Sequence, residues 1–213
     1  MTINITFMRH GYSRADDEMV HEGRYDSPLT DKGRAQVRAR ADAWKRDRVS
    51  FDAIIASTLV RASETAQIVS ETFGVPVELD SIWMERDNGP MAGLPFDEAR
   101  ERFNQPKYRN PYQPFVVNAN AGEGDWDLYT RAALAVQTII RRGPGSYLVV
   151  AHGGLLGGAM YSILGIVPSG KGVNVSFEFG DTGYVETSYD PNEAQWSIRN
   201  MILSTPDEKD LNW

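Results

Sequence analysis

Cysteine is absent from this sequence and histidine nearly so, with three residues in 213. The first absence excludes a disulfide framework and thiolate metal sites, and a cytoplasmic setting is the plain expectation. Long apolar runs are missing too, which counts against a membrane as partner. Met1-Thr2-Ile3 leads straight into an apolar stretch, with no basic n-region and no small-residue cleavage site, so no signal peptide is expected. Basic residues are the minority. Lys and Arg number 22 against 29 Asp and Glu, a net charge of −7, which argues against nucleic acid as partner. Repeats of solenoid length, low-complexity tracts and metal-ligand spacings such as HExxH are likewise missing. What remains has an ordinary apolar fraction of 41% and enough length for a single domain over 1–213 with a substantial core.

Two of the scarce histidines occupy equivalent places. His10 ends Ile3-Asn4-Ile5-Thr6-Phe7-Met8-Arg9, and His152 ends Tyr147-Leu148-Val149-Val150-Ala151. Both runs read as buried strands. Each histidine precedes glycine; Gly11 leaves the backbone open to an approaching ligand, and Gly153 is a candidate phosphate contact. A third short apolar run, Ile54-Ile55-Ala56, leads through Ser57-Thr58 to Arg61 in the first turn of a predicted helix over 60–73, stopped by Gly74. A cation is out of place beside the positive end of a helix unless an anion is shared there. If the three strands are neighbours in one parallel sheet, Arg9, His10, Arg61 and His152 converge at its carboxyl edge, where ligands of open α/β sheets bind. Two guanidiniums offer bidentate donors to a tetrahedral oxyanion, so the natural guest is a phosphoryl group.

The remaining pattern supports that sheet. Helices are predicted from Thr30 as N-cap to about residue 48, then over 97–103, 125–141 and 155–164. A weak strand at 75–79 carries Pro76 and belongs at an edge. Strands at 173–179 and 184–189 are predicted to close the sheet as a hairpin through Gly180-Asp181-Thr182-Gly183. The order implies a three-layer α/β/α fold with a mostly parallel sheet and an antiparallel edge hairpin. An irregular segment at about 86–124, with prolines at 90, 95, 106, 111 and 114, is expected to cover the site.

Several pieces, in this order along the chain, carry a family resemblance. They are Arg9-His10-Gly11, Asp26-Ser27-Pro28-Leu29-Thr30-Asp31-Lys32-Gly33, the stretch from Ser57 to Ala66, Glu85-Arg86-Asp87-Asn88-Gly89, Gly122-Glu123, His152-Gly153-Gly154 and Asn174-Val175-Ser176. The chain resembles the histidine phosphatase superfamily, in the branch that also holds cofactor-dependent phosphoglycerate mutases. The resemblance implies that His10 attacks phosphorus, that Arg9, Arg61 and His152 hold the nonbridging oxygens, that Glu85 is the general acid, and that no cofactor or metal is required. A histidine nucleophile must be neutral, and two adjacent guanidiniums should disfavour its protonation. Trp83 and Met84 beside Glu85 suggest apolar surroundings that would raise its pKa toward a value useful for a general acid.

The chain also departs from the family pattern. Tyr12 stands where relatives carry an acidic or amide residue, and Asp16 where they carry an asparagine that touches phosphate. Ser13 and Arg14 remain candidate phosphate or substrate contacts. The segment 100–124 lacks the paired arginines with which the mutases hold a second phosphate, although it offers Arg102, Lys107, Tyr108, Arg109 and Tyr112. The reading is therefore a phosphatase acting on a small phosphorylated substrate. The alternatives are a phosphoglycerate-type mutase and a noncatalytic phosphate-binding protein. The edge hairpin and the tail offer surfaces for a homodimer.

Overall fold

The computed structural model describes residues 1–103, 110–169 and 175–202. The six strands are β1 (Ile3–Arg9), β2 (Ala53–Ala56), β3 (Val77–Leu79), β4 (Gly145–Ala151), β5 (Tyr184–Asp190) and β6 (Gln195–Ile202). Six α-helices accompany them: α1 (Arg14–Glu18), α2 (Asp31–Arg46), α3 (Val60–Phe73), α4 (Phe96–Arg102), α5 (Asp125–Ile140) and α6 (Gly153–Leu164). The strands form one sheet in the order β3-β2-β4-β1-β5-β6. The first four in that order are parallel, β5 runs antiparallel to β1, and β6 antiparallel to β5.

Strand periodicity sorts the core into two layers. Ile3, Ile5 and Phe7 of β1, with Tyr147, Val149 and Ala151 of β4, face α5 and α6 through Leu128, Ala132, Val136, Leu155, Leu156 and Met160. The alternate residues Met8, Leu148 and Val150 face α2 and α3 through Val37, Ala41, Trp44, Ala62, Ala66 and Val69. The expected three-layer fold is what forms. Helix α2 begins where Thr30 accepts a hydrogen bond from the Gly33 N–H at 3.1 Å, and α3 ends at Gly74 with φ of 69°. Between β3 and α5 the chain is irregular but not coreless: Met91, Ala99, Phe103 and Val116 bury one another in a small separate cluster. Among the described residues no helix is long and apolar enough to cross a membrane.

The strand predicted over 173–179 does not form. Residues 173 and 174 lie outside the described residues, and 175–179 carry no strand. β5, its predicted partner, is flanked by β1 on one side and β6 on the other, so this segment has no place beside it. Its carbonyl at Phe179 accepts instead from Arg9 Nη1 at 3.0 Å. Gly180-Asp181-Thr182-Gly183 therefore leads into β5 rather than turning a hairpin. The hairpin is β5–β6, turning through residues 191–194, where Ala194 takes φ of 51°.

Candidate active site

Because β2, β4 and β1 are adjacent and parallel, their carboxyl ends deliver Ser57, His152 and the Arg9-His10 pair to one edge. His10, His152, Ser57, Ser13 and Arg61 are all fully buried. The rings of His10 and His152 lie 5.1 Å apart, tilted by 59°.

The hydrogen bonds fix the tautomer of His10. Its Nδ1 lies 2.8 Å from the Gly11 carbonyl, which can only accept, so Nδ1 carries the proton. Nε2 then presents a lone pair, which accepts from Arg61 Nε at 3.1 Å. Burial first, then the charges of Arg61 and Arg9, hold His10 well below the ordinary histidine value of 6.5. The ring is thus held in its neutral form, with its Nε2 lone pair engaged by the guanidinium.

Arg61 is no surface side chain. Its Nη1 donates to Tyr25 O at 2.9 Å and Nη2 to Gly23 O at 2.8 Å, which anchors it to the loop between α1 and α2. Glu64, one turn on, pairs with Arg34 at 3.0 Å. Val60 N–H at the start of α3 donates to Asp26 at 2.7 Å, so the helix end holds a carboxylate of this chain as well.

His152 Nε2 lies 2.8 Å from Ser57 Oγ. Its Nδ1 is buried with no hydrogen-bond partner among the described residues. Burial, then Arg61 and His10, push this ring well below 6.5 too. A buried ring nitrogen without a partner, beside two guanidiniums, fits a guest that brings hydrogen-bonding oxygens. Arg9 reaches the same place, its Nη1 3.4 Å from Asp181 and its Nη2 4.0 Å from Asp16.

Glu85 is placed differently from the expectation. The apolar flanks suggested by Trp83 and Met84 are not its surroundings. Oε2 accepts from Gly154 N–H at 2.9 Å, and Oε1 accepts from Leu155 N–H at 3.0 Å and Arg86 N–H at 2.7 Å. The carboxylate therefore caps α6 just after His152. Gly154 is required for this, since a Cβ there would come within 2.6 Å of Oε1. Arg131 holds the loop behind, donating to the carbonyls of Ile82, Met84 and Glu85 and to both oxygens of Glu123.

Other expectations need correction. Gly11 serves packing rather than ligand access, because a Cβ would come within 2.8 Å of Gly33 O in α2. Gly153 is open, with only Arg9 Cδ at 4.0 Å from such a Cβ. Arg14 is engaged by Glu18 at 3.0 Å and by the Tyr25 hydroxyl. Asp16 folds back on its own helix start, accepting from Ser13 N–H at 2.7 Å. The Tyr12 phenol is pushed up to about 12 by burial and by its hydrogen bond to Asp17, so it stays neutral. Arg102 pairs with Glu98, and Tyr112 stacks on Trp126. Lys107, Tyr108, Arg109 and Asn174 lie outside the described residues.

Sequence reasoning missed four contributors: Ser57 as a partner of His152, Gly154, Arg131 and Glu22. Arg131 had a visible sign, as an arginine beside the buried stripe of Leu128, Ala132 and Ala135. Glu22 had none. It sits in a polar loop, yet its Oε2 lies 3.6 Å from His10 Nε2 and its Oε1 3.4 Å from Arg61 Nε. Among the described residues no group of three or more His, Cys, Asp or Glu is placed to hold a metal ion.

A cleft of about 260 Å³ opens beside Gly154. Leu128, Tyr129, Tyr161, Ile166 and Val167 line it, and its arginine, Arg86, pairs with Asp125 at 2.6 Å.

Comparison with known proteins agrees with this geometry. A sequence model of the histidine phosphatase superfamily (branch 1) matches residues 5–201, and the chain belongs to that family. A 2,3-bisphosphoglycerate-dependent phosphoglycerate mutase of Methylobacterium radiotolerans is 33% identical over 158 residues, covering 71% of this chain and 74% of its own length. Among solved structures, YhfR of Bacillus stearothermophilus superposes with a TM-score of 0.76 at 28% identity, over 92% of this chain and 94% of its own. A mycobacterial glucosyl-3-phosphoglycerate phosphatase bound to VO3 shares the fold, with a TM-score of 0.78 at 22% identity over 94% of this chain and 99% of its own.

Proposed function

We propose that this chain, acting as one domain, is a metal-independent phosphomonoester hydrolase working through a phosphohistidine on His10. The observation that carries the reading is the neutral His10 ring, with Nδ1–H fixed on Gly11 O and the Nε2 lone pair beside Arg61. Nε2 attacks phosphorus, and the bond to the ester oxygen breaks. In its protonated form Glu85 gives the departing alkoxide its proton, and the resulting carboxylate takes one from the water that cleaves the N–P bond and restores His10. Arg9, Arg61 and His152 hold the nonbridging oxygens, supplying the electrostatic stabilisation that dominates phosphoryl transfer. Gly153 and Ser13 border that seat. Glu85 lies at the first turn of α6, next to His152, which suits a group that meets the leaving oxygen.

The cleft beside Glu85 favours hydrolysis over intramolecular transfer. Its walls are mostly apolar or aromatic and its arginine is already neutralised by Asp125. Among the described residues a second phosphate would find little to hold it there, whereas an uncharged alcohol portion would be accommodated. The second reading, a phosphoglycerate-type mutase, rests on the names of the relatives near 30% identity. The test is a panel of phosphomonoesters in excess EDTA, run beside 3-phosphoglycerate primed with its bisphosphate. Release of inorganic phosphate, lost in His10→Ala, supports the hydrolase. Interconversion of phosphoglycerates without phosphate release would replace it with the mutase.

A further inference from the structure

We propose that Glu22 carries a proton shared with the bound phosphoryl group, so that one proton enters the site with each oxyanion. The proposal rests on the phosphoryl seat described above. Glu22 is held in place by Ser13, whose Oγ–H donates to Oε1 at 2.6 Å. Its carboxyl spans the two groups a phosphoryl must use, with Oε2 3.6 Å from His10 Nε2 and Oε1 3.4 Å from Arg61 Nε. A phosphorus poised for attack stands about 3–3.5 Å from its nucleophile. A nonbridging oxygen that turns toward Arg61 Nε, which Oε1 also faces, therefore meets the carboxyl within the same shell around Nε2. Two anionic oxygens in such contact repel strongly in a buried site. A proton between them converts the contact into a short charge-assisted hydrogen bond, as in paired carboxylates that share one proton.

The charges around the seat make that proton necessary. Arg9 from the end of β1 and Arg61 from α3 supply two positive groups. Asp16 from α1, Glu22 from the following loop and Asp181 from the approach to β5 supply three carboxyls. Both histidines, at the ends of β1 and β4, are kept neutral. Glu85, bound at the start of α6 next to His152, brings another carboxyl. Arg131 of α5 also acts on His152 but is paired with Glu123, so among the described residues a phosphoryl dianion would add charge to a seat in which carboxyls outnumber free guanidiniums. His10 cannot hold the compensating proton, because its Nε2 is the attacking atom. Asp16 and Asp181 sit on Arg9, whereas Glu22 is the carboxyl beside Nε2. The proton comes from solvent as the oxyanion enters and returns when inorganic phosphate leaves.

The test is calorimetric binding of tungstate, which remains a dianion through the neutral range, in two buffers of different ionisation enthalpy. Wild type is expected to take up about one proton per tungstate near neutral pH, and its affinity to fall about tenfold per unit rise in pH. Glu22→Gln, whose amide donates without a proton, should show no uptake, a flat pH profile, and at least tenfold tighter binding on the alkaline side. Asp16→Asn should keep the uptake. Binding to wild type without proton uptake overturns the assignment on its own, whether or not the Gln variant folds. Uptake that persists in Glu22→Gln, or vanishes only in Asp16→Asn, overturns it as well. Failure of tungstate to bind either protein at any pH overturns the phosphoryl seat itself, and this assignment with it.

Discussion

The phosphoryl seat and the cleft beside it are built by opposite means. In the seat, each reactive side chain is tied to backbone or to another buried group: His10 to Gly11 O, Arg61 to Gly23 O and Tyr25 O, His152 to Ser57. The cleft is walled by side chains of α5, α6 and the segment after α6, with one ion pair at its rim. Preorganised donors serve a step whose charge is the same for every substrate, while side-chain walls can change with the alcohol to be held. The seat should therefore be brittle and the cleft forgiving.

The comparison is broken most sharply at His10. His10→Ala should lower kcat/KM for any phosphomonoester by about 10⁴-fold or more, as loss of a nucleophile does; steady-state assays at matched protein concentration read this. Arg61→Ala comes next. A loss of about 10²–10³-fold is expected from the missing guanidinium, together with about 1–3 kcal/mol of stability for each carbonyl left without a donor. Denaturant titration beside the kinetics separates the two effects. Glu85→Gln should cost about 10²-fold in kcat/KM, which reports phosphoenzyme formation, on alkyl phosphates and little on a nitrophenyl ester, whose leaving oxygen needs no proton; equal losses in kcat/KM on both would place Glu85 outside proton transfer to the leaving group. In the cleft, Tyr129→Ala should change kcat/KM by less than about tenfold, and unequally between bulky and small alcohol portions. A uniform loss as large as that of Arg61→Ala would erase the distinction between the two regions.

The smallest effect concerns stability and pH. Both buried rings sit well below the ordinary histidine value of 6.5 in the folded protein. The unfolded chain takes up protons first as pH falls below that value, so stability is unaffected above it and declines beneath it toward the folded values. Thermal melts of wild type and His152→Gln across that window should converge as pH drops. Parallel curves would mean that His152 is not held neutral.

Much of this arrangement was legible because strand ends are local. Arg-His-Gly after one apolar run and His-Gly-Gly after another fix two side chains at a sheet edge as soon as the strands are parallel neighbours. Arg61 follows by the same logic, since a cation in a first helical turn needs an anion or a carbonyl to face. The 173–179 run misled because its alternation is that of a strand, while the sheet had no vacant place beside β5. Glu85 misled for a similar reason: its sequence neighbours are apolar, but its spatial neighbours are the N–H groups of α6, seventy residues on. Glu22 was invisible, because a carboxyl in a polar loop gives no sign of the ring it will meet until the loop folds over α3.

The most direct measurement is rapid acid-free quenching of the enzyme during turnover of a ³²P-labelled aryl phosphate, followed by peptide mapping. A transient, acid-labile and base-stable label is expected on His10, formed as fast as the first turnover and absent from His10→Ala. Turnover by wild type with no labelled histidine, or with label on another residue, would contradict it.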